Sequence, residues 1–236
     1  MKIKNNILKI VLVSLLALGF NACDDNSEKK VKFPKPEWDN RLSDVEPKSG
    51  KWFQLADEDE KAAFNIGNTY SIKLKNYKKA IEWYLYSDSI KTNSDNLLNL
   101  ANTYEDLKQY EDAIKYMKKS FQLGKNEAAY NLGLIYSKKL NDYKNAEIWF
   151  KKAIERKSLS AIKNIGLLYH ESIKNDLKAS AYYITLIDKR YSKEEVLNLL
   201  KNKWKIPNDI IQKGYELQLN SDEFPIKYKG KLDLDE

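Results

Sequence analysis

Cysteine and histidine are almost absent from this 236-residue chain, which has one of each, Cys23 and His170. A single cysteine excludes an internal disulfide. A metal site would therefore need carboxylate ligands, but no Asp-rich calcium loop occurs in the sequence. Phosphate-binding glycine loops and nucleophile elbows are also missing. We predict a protein that is not an enzyme and that binds no metal or other cofactor.

Arginine is also scarce, although the chain is basic, with a formal net charge of +7 and a pI near 9.1. Only 3 of its 41 basic residues are arginine, the side chain that binds phosphates and base edges in a bidentate manner. The lysines are interspersed with Asp and Glu along predicted helices, a pattern typical of solvated helix faces. We therefore expect no nucleic-acid partner.

The amino-terminal residues have the features of an export signal. Three lysines flank or precede an apolar run over residues 10–20. The run is shorter than the roughly 20 apolar residues that a membrane-spanning helix needs. These features predict a signal peptide over residues 1–22.

The end of this signal resembles the lipobox of bacterial lipoproteins, in which a small residue precedes the modified cysteine, here Ala22-Cys23. The resemblance implies cleavage before Cys23, a diacylglycerol on its sulfur and an acyl chain such as palmitate on the new amino terminus. We expect a protein anchored by lipid to a membrane of the bacterial cell envelope, with the rest of the chain in the periplasm. The alternative is an uncleaved anchor helix with an incidental cysteine.

Four related segments make up the middle of the chain. Each contains a hexapeptide that starts with asparagine and ends with tyrosine, beginning at Asn65, Asn99, Asn131 and Asn164. The third residue of each hexapeptide is small and recurs after 34, 32 and 33 residues, as Gly67, Ala101, Gly133 and Gly166. In the segment over residues 128–157, apolar residues three and four apart lie on both sides of an Asn-Asp turn. This spacing predicts two amphipathic helices.

These segments resemble tetratricopeptide repeats and the related SEL-like repeats, which are helix–turn–helix units of about this length. The resemblance covers residues 62–189 and implies an all-α fold, a right-handed α-solenoid of about four repeats with C-terminal capping helices. The small residue of each hexapeptide should let the first helix of a repeat approach the second. Large side chains on the second helix should fill the space between repeats.

The predicted domains follow from these boundaries. Residues 23–50 are polar and contain three of the five prolines, so we expect a lipidated flexible tether before the repeat domain of residues 51–190. Ser192 and Glu195 have the spacing of a capping box, which begins a region of capping helices and polar tail over residues 191–236. We expect the tail, residues 220–236, to be loosely packed or disordered. An alternative is that the tail contains a short recognition segment, formed by Ile226, Tyr228, Leu232 and Leu234.

In tetratricopeptide proteins, first-helix residues that face away from the second helix line the concave binding groove. The resemblance assigns this role to Phe64, Asn68, Leu98, Asn102, Glu105, Tyr130, Leu134, Lys163 and His170. Asn68 and Asn102 match an asparagine that family members use to hydrogen-bond an extended peptide. The basic residues that clamp a terminal carboxylate in chaperone cofactors are replaced by Phe64, Glu127 and Asn131, which argues against a chaperone-tail receptor. A mixed aromatic and polar groove suits a peptide or helix anchored by apolar residues.

Together these features predict a membrane-anchored scaffold or assembly factor of the bacterial cell envelope that binds a protein partner in its groove. The alternative is a peptidoglycan-associated factor that binds the cell wall or regulates its enzymes, and a basic groove would favour it.

We expect the substitution Cys23→Ser to block processing or to release the protein from the membrane, because the acyl chains attached at this residue supply the anchor. Gel mobility and membrane fractionation, each compared with the wild-type chain, measure the two effects. Unchanged processing together with full membrane retention would rule out the lipobox.

Overall fold

A computed structural model describes residues 32–234 of the chain. The predicted signal peptide over residues 1–22 and the predicted lipidation site, Cys23, lie outside the described residues. Within residues 32–234 the regular structure is helical, with no β-strand. None of the helices in that range is both long enough and apolar enough to cross a membrane.

The described part of the chain contains twelve α-helices, three of which continue into a π-helical stretch. In chain order they are α1 (Arg41–Val45), α2 (Ser49–Leu55), α3 (Glu60–Asn68, then π-helical Thr69–Lys73), α4 (Tyr77–Ile90), α5 (Ser94–Asp106), α6 (Tyr110–Gln122), α7 (Glu127–Lys138), α8 (Tyr143–Glu155), α9 (Leu159–Leu167, then π-helical Leu168–Ile173), α10 (Asp176–Ile184), α11 (Lys193–Leu197, then π-helical Asn198–Lys203) and α12 (Asn208–Asn220).

Helices α3 to α10 form four consecutive pairs, α3–α4, α5–α6, α7–α8 and α9–α10. The two helices of a pair pack together, and the second helix of each pair also packs on the first helix of the next. Each pair therefore covers its neighbour, which is the packing of a repeat protein. The prediction of an all-α solenoid of four helix–turn–helix repeats is confirmed.

The turn inside each repeat has the same backbone form. One residue has a left-handed conformation, with φ between 51° and 61°, at Lys75, Lys108, Asn141 and Lys174. In three of the four turns, the next residue caps the second helix, because its side-chain oxygen accepts a hydrogen bond from a backbone N–H of the first helical turn. The donor–acceptor distance is 3.3 Å for Asn76, 3.0 Å for Asp142 and 3.0 Å for Asn175. Each of these caps satisfies a free N–H of the helix start and fixes where the second helix begins.

The two helices of a repeat approach each other closely at the small residue of the hexapeptide. A Cβ atom added at Gly67 would lie 2.7 Å from the Tyr84 ring. One added at Gly166 would lie 2.6 Å from the Tyr183 ring, and one added at Gly133 would collide with the Phe150 ring. The predicted role of these glycines, to let the first helix approach the second, is confirmed.

The second repeat has a different pair of residues where its two helices approach each other. Ala101 replaces the glycine, and Met117 replaces the aromatic ring at the equivalent position of the second helix. Both residues are fully buried in one core cluster. An unbranched methionine side chain can adapt its conformation to the methyl group of an alanine, whereas a rigid ring cannot. Alanine, which is larger than glycine, therefore occurs opposite the more flexible side chain.

Residues 32–50 are folded against the first repeat. Leu42 is fully buried, and Phe33 and Trp38 pack on the same core cluster. The Trp38 ring lies 5.1 Å from that of Phe53, and Asp39 forms an ion pair with Lys79 of α4 at 2.7 Å. The prediction of a flexible tether over residues 23–50 is therefore wrong for residues 32–50, because a few aromatic and apolar side chains anchor this proline-containing segment.

The C-terminal helices cover the last repeat. The predicted capping box is present, since Ser192 and Glu195 exchange hydrogen bonds of 2.8 Å and 3.1 Å between side chain and backbone. Helix α12 packs on α10 through Gly214, where an added Cβ would lie 2.8 Å from the Cβ of Ser180. The apolar end of the repeat stack is thus covered by the chain itself.

Residues 221–234 also pack against the repeats, so the prediction of a loose polar tail is wrong for this range. Phe224 and Leu232 are 1% and 4% exposed. The buried amide of Gln218 bonds both backbone groups of Tyr228, donating to its C=O at 2.8 Å and accepting from its N–H at 3.1 Å.

The predicted alternative, a free recognition segment in this tail, is wrong for the same reason. Its four residues belong to the repeat core or pack directly against it, namely Ile226, Tyr228, Leu232 and Leu234. Leu232 is buried, and the other three side chains use part of their surface to pack on the repeats, so these residues do not form a separate segment.

We expect Gly133→Ala to lower the free energy of unfolding by about 1–3 kcal/mol, because the new methyl group overlaps the Phe150 ring. Adding Phe150→Met to this variant recreates the Ala–Met pair of the second repeat and should recover part of the loss. Urea denaturation followed by circular dichroism measures both effects.

The matched control is Gly50→Ala, since nothing lies within 4 Å of a Cβ added at that helical position. This control should be at least as stable as the wild type. If Gly133→Ala were equally stable, close helix approach would not constrain the repeat.

Candidate peptide-binding groove

The first helices of the repeats, α3, α5, α7 and α9, supply the predicted groove. Each uses one side to pack on its second helix and leaves another side partly open to solvent. Eight of the nine predicted groove residues are half-buried, as expected of such a side: Phe64, Asn68, Asn102, Glu105, Tyr130, Leu134, Lys163 and His170.

Leu98 is the exception among the predicted groove residues. It is 4% exposed and belongs to the apolar core cluster that includes Ala101, Met117 and Ala129 of the second and third repeats. Its side chain is therefore part of the core that the second repeat shares with the third. The prediction that Leu98 contacts a ligand is therefore wrong.

Asparagine side chains link neighbouring first helices along this face. Asn99 Nδ2 donates to Asn68 Oδ1 of the preceding repeat at 2.9 Å, and Asn131 Nδ2 donates to Asn102 Oδ1 at 3.4 Å. In the next repeat, Asn164 Nδ2 donates to the Tyr130 hydroxyl at 3.2 Å. The three donors are the asparagines that open the repeated hexapeptide, and we call these three contacts the asparagine ladder.

The asparagine ladder fixes the orientation of two amide groups. Asn68 Oδ1 accepts a second hydrogen bond, from the Tyr84 hydroxyl at 2.7 Å, so its oxygen is turned toward the protein. Within residues 32–234, the NH₂ groups of Asn68 and Asn102 have no hydrogen-bond partner. The face thus carries two oriented amide donors on adjacent repeats.

The two aromatic residues of the predicted groove lie partly in the core and partly on the open face. The ring of Phe64 lies 5.9 Å from that of Tyr84, and the ring of Tyr130 lies 6.2 Å from that of Phe150. Each ring therefore packs partly on the second helix of its own repeat. Only its remaining surface is available to a partner.

His170 lies at the C-terminal end of the face, where another part of the chain covers it. Its ring stacks on that of Trp204 at 4.0 Å, and its Nδ1 lies 2.6 Å from a carboxylate oxygen of Asp176. Trp204 also packs edge-on against Tyr183 at 4.8 Å. The open part of the face is therefore limited to the first three repeats. The sequence reasoning missed Trp204, whose role depends on how the C-terminal helices dock.

Glu105 gives the face its one acidic group among the predicted groove residues. Its carboxylate forms no hydrogen bond or ion pair with any residue in the described range 32–234. Burial raises the pKa of this carboxyl, and the charge of Lys139 offsets part of the rise. Lys163 adds a positive charge one repeat beyond Tyr130.

The described residues offer amide donors, two rings, a carboxylate and an amine, which suit binding more than catalysis. No group of three or more His, Cys, Asp or Glu residues in the described range could hold a metal ion.

Comparisons with known proteins agree with this architecture. The family model described as tetratricopeptide repeat matches residues 60–92, 94–125 and 127–158. None of the curated proteins compared with the chain is similar to it.

Three solved structures share the fold. A Sel1 repeat protein from Oxalobacter formigenes is 22% identical, with a TM-score of 0.51 over 78% of this chain and 81% of its own. Two crystal structures of MamA are 21% and 18% identical, each with a TM-score of 0.50, over 57% and 71% of this chain and 80% and 93% of theirs. At these identities the likeness shows the fold alone.

We expect Asn99→Ala to lower the free energy of unfolding by about 1 kcal/mol, because it removes the donor that bonds Asn68 across a repeat boundary. Thermal melting measures the loss. Asn220→Ala is the control, since this exposed residue at the end of α12 makes no side-chain hydrogen bond within the described residues. Equal melting temperatures for the two variants would mean that the asparagine ladder contributes nothing to stability.

Proposed function

We propose that this chain, which is a tetratricopeptide/SEL-like repeat protein, binds a protein partner as an extended peptide along the face of its first three repeats. Proteins built from such repeats are typically non-enzymatic interaction scaffolds. The observation that carries the proposal is the pair of free NH₂ groups on Asn68 and Asn102, which the asparagine ladder orients.

The chemistry of these donors favours an extended partner over a helical one. Carbonyl groups inside a helix already accept hydrogen bonds from the same helix, whereas those of an extended peptide are free. Two donors on adjacent repeats can bond two carbonyl groups of one extended strand. Because the ladder holds both amides in place before binding, little conformational entropy is lost when the peptide arrives.

The partly exposed rings of Phe64 and Tyr130 flank this polar line. They offer apolar surface for side chains that alternate along the peptide, while the amides bond its backbone. The groove would therefore recognise an extended segment through its backbone and through a few apolar contacts. Glu105 is the one charged group among the predicted groove residues of these three repeats. The groove is therefore not basic, which does not favour the peptidoglycan alternative.

The proposal includes attachment to a membrane of the bacterial cell envelope through lipid on Cys23, with the repeats in the periplasm. The resemblance of the Ala22-Cys23 junction to a lipobox supports the anchor. The scarcity of arginine supports a protein partner and argues against nucleic acid.

Crosslinking from whole membranes, followed by affinity purification, tests the groove. The double variant Asn68→Asp with Asn102→Asp keeps the oxygen atoms that accept from the ladder and replaces both free donors by carboxylate oxygens. Because these oxygens repel peptide carbonyl groups, we expect the recovery of the crosslinked partner to fall at least about tenfold.

The matched control is Asn126→Asp with Asn220→Asp, which adds the same charge at two exposed positions. Circular dichroism should show that both double variants are folded. A partner recovered equally with the wild type and with both double variants would contradict the groove assignment.

A further inference from the structure

Glu105 differs in charge from its counterparts in the other repeats. The equivalent first-helix positions carry Ser71, Ser137 and His170, and His170 lies under Trp204. The open part of the groove therefore has a carboxylate at this position in the second repeat and hydroxyl groups in the first and third. A feature present in only one repeat can set the register of a bound peptide.

Three other half-buried glutamates of the described residues are paired, namely Glu46, Glu147 and Glu223, whereas Glu60 at the start of α3 is not. Glu147 contacts Lys151 at 2.6 Å, and Glu223 contacts Lys151 at 3.0 Å and accepts from Tyr182 at 2.8 Å. Burial acts to raise the pKa of Glu223, but the hydrogen bonds from Lys151 and Tyr182 hold it below its usual range. Glu105 is also half-buried, yet it has no such partner among residues 32–234, and its pKa is raised.

We propose that Glu105 selects a lysine or arginine side chain in the extended peptide that the groove binds. The inference rests on the function proposed above, since it assigns a specificity contact within the same groove. A cation brought to a partly desolvated carboxylate replaces solvent contacts that burial has already weakened, so the contact is stronger than a fully exposed ion pair.

The position of Glu105 relative to the amide donors fits this role. It lies three residues after Asn102 on α5, so the two side chains are neighbours on one helix face, with Cβ atoms about 5–6 Å apart. A peptide whose carbonyl accepts from the Asn102 amide therefore places an adjacent side chain within reach of the Glu105 carboxylate. Lysine and arginine are long enough to span this distance.

The charges of the protein distinguish an effect of the Glu105 carboxylate from an effect of the net charge. Lys139 and Asp106 are the charged groups that influence it most, and Lys139 forms no ion pair with it within the described residues. The whole chain carries a formal net charge of +7, so non-specific attraction would favour acidic peptides. A preference for basic peptides would therefore have to come from a local carboxylate.

The test is selection of a random-sequence extended peptide library on the purified full chain, immobilised through a C-terminal tag. The wild type should enrich lysine or arginine at one peptide position. Glu105→Gln should reduce this enrichment about tenfold, which is the effect of losing one charge-assisted contact. Glu105→Lys should instead enrich aspartate or glutamate at that position.

Two control variants test whether the preference for basic peptides depends on Glu105 specifically. Glu111→Gln removes an exposed carboxylate of α6, and Glu155→Gln removes one at the end of α8. Both should select the same peptides as the wild type. If Glu105→Gln kept the basic preference of the wild type, the assignment to Glu105 would be overturned.

The remaining outcomes separate this inference from the proposed function. If the wild type enriched only acidic or apolar peptides, and if Asn68→Asp with Asn102→Asp abolished that enrichment, the groove would bind peptides but the role of Glu105 would be refuted. If the wild type enriched no peptide at all, both proposals would be refuted.

Discussion

The contact between a small residue on the first helix of a repeat and a large side chain on the second controls the rest of the structure. It brings the two helices close enough for rings such as Tyr84, Phe150 and Tyr183 to fill the space between them. The second repeat reaches a similar end with Ala101 and Met117. This contact uses one side of the first helix and leaves the adjacent side partly open to solvent, and the candidate groove lies on that adjacent side.

The asparagines of the candidate groove also belong to the contacts that join the repeats. The asparagines that start the second, third and fourth hexapeptides each bond the previous repeat, so the same residue that recurs in the sequence also joins adjacent first helices. These bonds hold the repeats in register and, at Asn68 and Asn102, leave amide donors free. The contacts between repeats and the proposed recognition therefore depend on one set of side chains, which distinguishes this face from the other surfaces of the helices.

Sequence reasoning succeeded where the determinants were periodic and local. The spacing of Gly67, Ala101, Gly133 and Gly166 predicted the repeats, and Ser192 with Glu195 predicted a helix start. It failed where a segment is held by distant contacts, as with Leu42 on the first repeat and Phe224 on the last. It also failed at Leu98, which is buried in the core shared with the third repeat, and did not foresee that Trp204 covers His170. The polar, proline-containing composition of residues 32–50 and 221–234 suggested loosely packed segments. A few buried apolar side chains are nevertheless enough to order both segments.

Both ends of the repeat stack are covered by segments of the same chain, residues 32–56 before the first repeat and α11, α12 and residues 221–234 after the last. An uncovered repeat would present an apolar surface to the next molecule, and head-to-tail contacts of that kind build open filaments. The described part of this chain instead ends in closed surfaces. The candidate groove therefore has a defined extent, and Trp204 bounds it at the C-terminal side.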